Sequence, residues 1–144
     1  MSGDELDPDR GSGLPTPEPH PTPETEAYWE AAGDGRLLVG YCTDCDEHFF
    51  YPRRHCPLCA GTDVEYVEAA GTGTVHAMTV VRQAGGAYAE ATPYVLAYVE
   101  LDEGPRMLTN VVGTDPDAVA VGDRVAVTFD ELPGDLALPR FRPA

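Results

Sequence analysis

The chain reads as a mainly β protein, with an N-terminal helix, a four-cysteine ribbon and then a five-stranded barrel of the OB type. Three observations predict this. All four cysteines lie in a Cys-x2-Cys, ten-residue, Cys-x2-Cys pattern between Cys42 and Cys59. From Val64 onward, alternation of period two dominates, as on half-buried strands. That half also yields three strand candidates, a short capped helix and two further strands, the element order of an OB barrel. An SH3-like barrel is the alternative. With 144 residues the chain has room for one ordinary domain, or a small domain with an appended module.

Residues 1–22 read as a disordered acidic tail. They carry Pro8, Pro15, Pro17, Pro19 and Pro21, and Leu6 and Leu14 are the only aliphatic side chains after Met1. Such a segment cannot bury enough apolar surface to offset its ordering entropy. Residues 23–35 form the helical segment. Thr22 is placed to cap it, Pro23 suits the first helical position, Glu24 and Glu26 favour the positive end of the dipole, and Gly33 ends it. A helix this short is marginal alone, so Tyr28 and Trp29 must dock on the body of the protein or on a partner.

Residues 36–63 form the ribbon and residues 64–144 the barrel. The barrel strands are expected at Thr72–Arg82, Tyr94–Leu101, Arg106–Val112, Asp123–Phe129 and Leu136–Phe141, with the short helix starting at Asp115-Pro116. On the first strand, Val75, Ala77, Thr79 and Val81 alternate against Thr74, His76, Met78 and Val80. On the second, Val95, Ala97, Val99 and Leu101 fill the barrel, leaving Tyr94, Leu96 and Tyr98 outside. Pro139 marks the last strand as an edge.

The cysteine pattern is the strongest chemical signal. Two residues between cysteines let one tight turn aim both sulfurs at one ion, and two such turns supply a closed site of four thiolates. Cys42, Cys45, Cys56 and Cys59 are the expected ligands of one structural Zn2+, with iron, a redox pair or disulfides as the alternatives. Four thiolates leave no open position for water or substrate, so the metal argues for structure and not for hydrolysis. His48 and His55 lie inside the ribbon and are read as lying outside the ligand set. No G-x-S-x-G, H-E-x-x-H or phosphate-cradling glycine loop occurs, and no catalytic residue is assigned. Arg53-Arg54 is the only adjacent basic pair, placed to grip a phosphate or to pair with Asp44, Asp46 or Glu47.

Nine Lys+Arg against 25 Asp+Glu give a formal charge of −16, and all nine bases are Arg. Self-repulsion of this size opposes compaction and is screened by concentrated salt, which predicts a halophilic source. The acidity argues against nucleic acid, although zinc ribbons and OB barrels both serve that role and Tyr94 and Tyr98 could stack bases. The longest apolar run, Tyr94–Val99, is too short to span a bilayer, and the acidic N-terminus lacks a secretory h-region. A cytoplasmic location with no membrane partner is expected.

Together these motifs resemble the OB-fold, zinc-ribbon proteins associated with acyl-CoA metabolism. The resemblance rests on Tyr28-Trp29, Gly35-Arg36-Leu37, Cys42-x2-Cys45, Pro52-Arg53-x2-Cys56-Pro57-x-Cys59, Gly71-x-Gly73-x-Val75, Pro93-Tyr94, Val99-Glu100-Leu101-x2-Gly104 and Val121-Gly122-Asp123-x-Val125. Asp46 departs from the pattern, which usually has Gly after the second cysteine. The resemblance implies a rubredoxin-like ribbon, zinc on the four cysteines, and a non-catalytic subunit working with thiolase-like or hydratase-like enzymes. Archaeal relatives bridge acetoacetyl-CoA thiolase and hydroxymethylglutaryl-CoA synthase at the start of the mevalonate pathway, and bacterial ones partner sterol side-chain hydratases and aldolases. The expected role is thus a scaffold or acyl-CoA-channelling subunit. Trp29, Arg53, Arg54, Tyr94 and Tyr98 are the expected partner or ligand contacts.

Overall fold

The computed structural model describes residues 12–144. Residues 1–11, half of the expected tail, lie outside them. The order is one helix, three ribbon strands and five barrel strands. The helix α1 spans Glu26–Gly33, shorter than the segment expected from sequence. Thr22 does not cap it. The Thr22 amide donates to Thr25 Oγ1 at 3.0 Å and the Thr25 amide returns to the Thr22 carbonyl at 2.9 Å, making a separate tight turn that includes Pro23. Helical hydrogen bonding starts at its last residue, with the Trp29 amide donating to the Thr25 carbonyl at 3.2 Å.

α1 buries Tyr28, Ala31 and Ala32 and lies mainly on the last barrel strand. Gly33 permits this approach, since a Cβ there would sit 1.9 Å from the Asp135 carbonyl oxygen. Beside the helix, Arg140 and Asp130 form an ion pair, both almost fully buried. Ser12 donates to both Asp130 oxygens, through its amide at 2.8 Å and its hydroxyl at 2.6 Å. The Pro15 carbonyl accepts from Arg140 Nη2 at 2.6 Å. This part of the expected tail therefore straps across the barrel, because a buried ion pair needs further hydrogen-bond partners and the strap supplies them.

The ribbon strands are β1 (Leu38–Cys42), β2 (Glu47–Phe49) and β3 (Val64–Glu68), in the antiparallel order β2-β1-β3. Val64–Glu68 pairs along β1 from Cys42↔Val64 to Leu38↔Glu68, so it belongs to the ribbon sheet and not to the barrel. The ribbon sheet thus runs five residues beyond the expected boundary at residue 63. Alternation alone cannot show which neighbour a strand joins.

The barrel closes in the order β4-β5-β6-β8-β7, with β4 at Thr72–Val81, β5 at Tyr94–Leu101, β6 at Arg106–Val111, β7 at Arg124–Leu132 and β8 at Leu136–Pro143. The element between β6 and β7 is a single 3₁₀ turn, Pro116–Ala118, with the Asp115 side chain accepting from the Asp117 amide at 2.9 Å. On β5 the alternation is as read: Val95, Ala97, Val99 and Leu101 are buried. On β4 it is not. A bulge between Val75 and Ala77 reverses the phase, so Met78 and Val80 pack on the core while Ala77 and Thr79 face out. One extra residue against the partner strand turns every later side chain to the opposite face. β8 meets β6 only at Val111↔Phe141, which leaves room for Pro139 without a lost ladder bond on that side. One core runs through barrel and ribbon, joining Phe141, Val99 and Val125 to Val39, Leu37 and Tyr28.

Candidate metal centre

β1 delivers Cys42 at its end, and the chain turns at once so that Cys45 faces it. The Asp46 amide donates to the Cys42 carbonyl at 2.8 Å, and Asp46 takes the left-handed conformation with φ 59°. The second turn repeats this: the Ala60 amide donates to the Cys56 carbonyl at 2.8 Å, and Ala60 has φ 64°. Asp is among the side chains that tolerate this region, which explains how the knuckle forms without the usual Gly. Gly61 brings the two turns together, since a Cβ there would meet Asp44 Oδ2 at 2.7 Å.

The four sulfurs lie within 4.8 Å of one another. Cys42 Sγ is 3.6 Å from Cys59 Sγ, and Cys45 Sγ is 3.7 Å from Cys56 Sγ. A tetrahedron of sulfurs about 2.3 Å from a zinc ion has edges of about 3.8 Å, so this spacing fits the ion. It is far from the roughly 2.05 Å of a disulfide, and all four thiols are free. Burial disfavours the Cys56 thiolate, but amides of Leu58 and Cys59 aimed at its sulfur outweigh this and lower its pKa to about 7. Burial and hydrogen bonds to the other three sulfurs push Cys45 up to about 12. Four thiolates at this spacing need a cation among them. Donor set and geometry fit a single structural Zn2+ with Cys42, Cys45, Cys56 and Cys59 as its ligands. Neither histidine of the ribbon joins the cluster; the His48 ring lies tilted beside Tyr41, with ring centroids 4.9 Å apart.

The remaining expected contacts separate into two places. Trp29 is half-buried and meets Tyr28 edge-on at 4.9 Å, while Tyr28 is the fully buried ring and also touches Phe50 and Tyr51. Near this junction, Arg53 and Arg54 are exposed and line an open groove with His55, Thr62, Val64 and Tyr66. Sequence reasoning did not include Tyr66 in that group, because only the pairing of β3 with β1 brings it there.

Tyr94 and Tyr98 lie on the outer face of β5. Tyr94 packs against Tyr88 at 5.3 Å, and Tyr98 is 48 % exposed. Cross-strand register sets Tyr98 between Ala77 of β4 and Leu108 of β6, and Leu108 is 53 % exposed. Leu108 was missed. Its alternation with the buried Met107, Thr109 and Val111 was the signal that would have placed it outside.

Among the described residues no helix is long and apolar enough to cross a membrane. A domain family described as a ChsH2 rubredoxin-like zinc ribbon matches residues 29–65, and one described as a ChsH2 C-terminal OB-fold domain matches residues 66–130. The chain is 42 % identical to a probable enoyl-CoA hydratase alpha subunit of Thermomonospora curvata over 82 % of its own length and 37 % of that protein. It is 35 % identical to a DUF35 domain-containing scaffold protein of Methanothermobacter thermautotrophicus, over 76 % of this chain and 84 % of the other. A solved chain of an "Ltp2-ChsH2(DUF35) aldolase" matches with a TM-score of 0.75 and 38 % identity, over 88 % of this chain and 98 % of that one. This chain thus spans little more than a third of the hydratase subunit and most of the scaffold protein. By its cysteine cluster, its ribbon-then-barrel order and these matches, the chain belongs to the DUF35 family of ChsH2-type zinc-ribbon and OB-fold proteins.

Proposed function

We propose that this chain is a non-catalytic scaffold subunit of an acyl-CoA enzyme complex, holding a catalytic partner through the outer face of its barrel. The observation that carries the reading is the apolar row Ala77–Tyr98–Leu108 across β4, β5 and β6, extended by Leu96 and Tyr94. Tyr98 and Leu108 are large exposed side chains of interface type, on a sheet and not on a loop. The metal cluster supports the same reading, since a site closed by four thiolates performs no Lewis-acid chemistry. Relatives named as scaffold proteins, and one solved as part of an aldolase, fit a partner subunit.

The finer reading is a thiolase-type complex, bridging acetoacetyl-CoA thiolase and hydroxymethylglutaryl-CoA synthase, with acyl-CoA at the shared interface. A hydratase or aldolase partner is the second reading, favoured by the 42 % identity to a hydratase subunit and the likeness to the aldolase chain. In both, Trp29, Tyr94 and Tyr98 contact the partner protein and the work is cytoplasmic. Affinity capture from the source organism, with the partner identified by mass spectrometry and assayed with and without this chain, tests it. The expected result is a stoichiometric acyl-CoA enzyme that loses activity or solubility when the chain is removed. Recovery of the chain alone from native extract would overturn the proposal, and the identity of the partner chooses between the two readings.

A further inference from the structure

Carboxylates outnumber guanidinium groups 25 to nine in this chain, so an arginine without a carboxylate neighbour is unexpected. Arg36 pairs with Asp34 and Glu68, Arg82 with Asp117, Arg106 with Glu100, Arg124 with Asp102 and Arg140 with Asp130. Arg53 and Arg54 are adjacent, and among the described residues neither has a carboxylate oxygen within 4.0 Å of its guanidinium. They border the same open groove, of about 440 Å³, with Val64 and Tyr66 on the wall formed by β3.

This groove is held in shape. The Tyr66 hydroxyl donates to the Glu24 carbonyl at 2.6 Å, and the Arg54 amide donates to Glu24 Oε2 at 2.8 Å. One residue ahead of α1 thus ties down both walls. The Glu24 carboxylate accepts from the Arg54 backbone amide and makes no ion pair with the Arg54 guanidinium. Arg53 Nε donates to the Tyr51 carbonyl at 3.2 Å, which fixes the root of that guanidinium and leaves its two terminal nitrogens available. The result is two planar donors beside an aromatic ring; Arg142, the other described arginine outside these ion pairs, adjoins no second arginine and does not line this groove.

We propose that Arg53 and Arg54 bind the phosphates of a nucleotide carrying two or more of them, with the base against Tyr66 and Val64. This rests on the scaffold reading and deepens it, because the nucleotide end of an acyl-CoA is a ligand of that class. Guanidinium groups suit phosphate through paired, parallel hydrogen bonds, and they stack on aromatic faces. A nucleic-acid polymer fits less well. A charge of −16 repels a long polyanion, and on the outer barrel face Arg106 is already paired with Glu100.

The test is calorimetric titration of the full, zinc-loaded chain with adenosine 3′,5′-bisphosphate, with AMP, inorganic phosphate and a single-stranded RNA oligomer as comparison arms. Saturable bisphosphate binding is expected, weakened about tenfold by each of Arg53→Ala and Arg54→Ala and unchanged by Arg106→Ala. Zinc content and the unfolding midpoint should stay at wild-type values, which separates a ligand role from one of steadying the thiolates. If the alanine variants lose zinc, Arg53→Lys and Arg54→Lys keep the charge and still weaken binding by removing the paired geometry. No binding at millimolar bisphosphate, equal binding by the double variant, or equal affinity for inorganic phosphate would overturn the proposal. Tighter binding of the RNA would replace it with a nucleic-acid site. Partner capture that succeeds while bisphosphate fails to bind leaves the scaffold reading standing, and the reverse outcome leaves the nucleotide site standing.

Discussion

Cys56 is 1 % exposed and its sulfur receives backbone donors at close range, including the Leu58 amide at 3.3 Å. Replacing it by Ser leaves three thiolates around the ion, and metal affinity in such a site is folding energy. Cys56→Ser should therefore reduce zinc from about one ion per chain to far less by elemental analysis. It should loosen residues 42–59 in hydrogen exchange while β4 to β8 stay protected. Full zinc retention would disprove the four-cysteine assignment. A second residue-scale expectation concerns Asp102, in the turn after β5. Arg124 Nη1 and Nη2 donate to its two oxygens at 2.8 and 3.0 Å, and Thr72 adds a hydroxyl. These hydrogen bonds hold its pKa at about 2, below the ordinary carboxylate range. A depressed carboxylate contributes stability that is fully present above the unfolded value near 4 and is lost as pH falls through the folded one. Both side chains are more than a third exposed, so solvent screening keeps the contribution small. A carbon-detected titration should put the Asp102 midpoint near 2 and, in Arg124→Ala, return it toward the ordinary value. Identical midpoints in the two proteins would show that Arg124 is not the cause.

α1 is the element on which buried and exposed aromatics must be told apart. Tyr28 touches Trp29, Phe50 and Tyr51 and is buried, whereas Trp29 covers its edge from a half-buried position. Tyr28→Ala should cost about 3–5 kcal/mol in chemical denaturation, the range for deleting a buried aromatic ring. Trp29→Ala should lower the isolated chain's stability much less, while weakening partner binding by about 2 kcal/mol if it anchors the complex. A loss of stability equal to that of Tyr28→Ala, with normal binding per folded molecule, would make Trp29 a core residue. Sequence pattern located this pair but could not rank the two rings, because the phase of an eight-residue helix is set by what it packs on. The same limit recurs elsewhere. The metal ligands were legible from spacing alone, and the inward set of β5 from alternation. The bulge in β4, the pairing of Val64–Glu68 with β1 and the strap of Ser12 and Pro15 over the Arg140–Asp130 pair depend on contacts between separate segments. Even so, the β7–β8 register, with Thr128↔Arg140 and Asp130↔Leu138, sets Arg140 and Asp130 as diagonal neighbours on one face. Once that hairpin is recognised, their pairing follows.

At the scale of the whole molecule, a charge of −16 acts on the folded state everywhere at once. Screening shortens its reach from about 10 Å at 0.1 M salt to about 3 Å at 1 M. The unfolding midpoint should therefore rise between low and molar KCl, and a midpoint insensitive to salt would count against the halophilic reading. The same charge bears on how a partner is held. A protein this acidic repels other acidic proteins over most of its surface, so a stable complex needs a region where apolar contact outweighs repulsion. The outer barrel face is such a region. Tyr98 and Leu108 are direct cross-strand neighbours on it, and Glu100 and Arg106 neutralise each other one step along the same strands. Tyr98→Asp with Leu108→Asp would place two charges at the centre of the row without disturbing the inward residues Val99 and Met107. Surface changes of this kind alter stability by no more than about 0.5 kcal/mol each, so the variant should melt close to the wild type. Burying two unpaired carboxylates against a partner is far more costly, and binding should fall by about 2 kcal/mol or more, roughly 30-fold. Binding that survives the double substitution, measured on equally folded protein, would show that the partner sits on another surface of the chain.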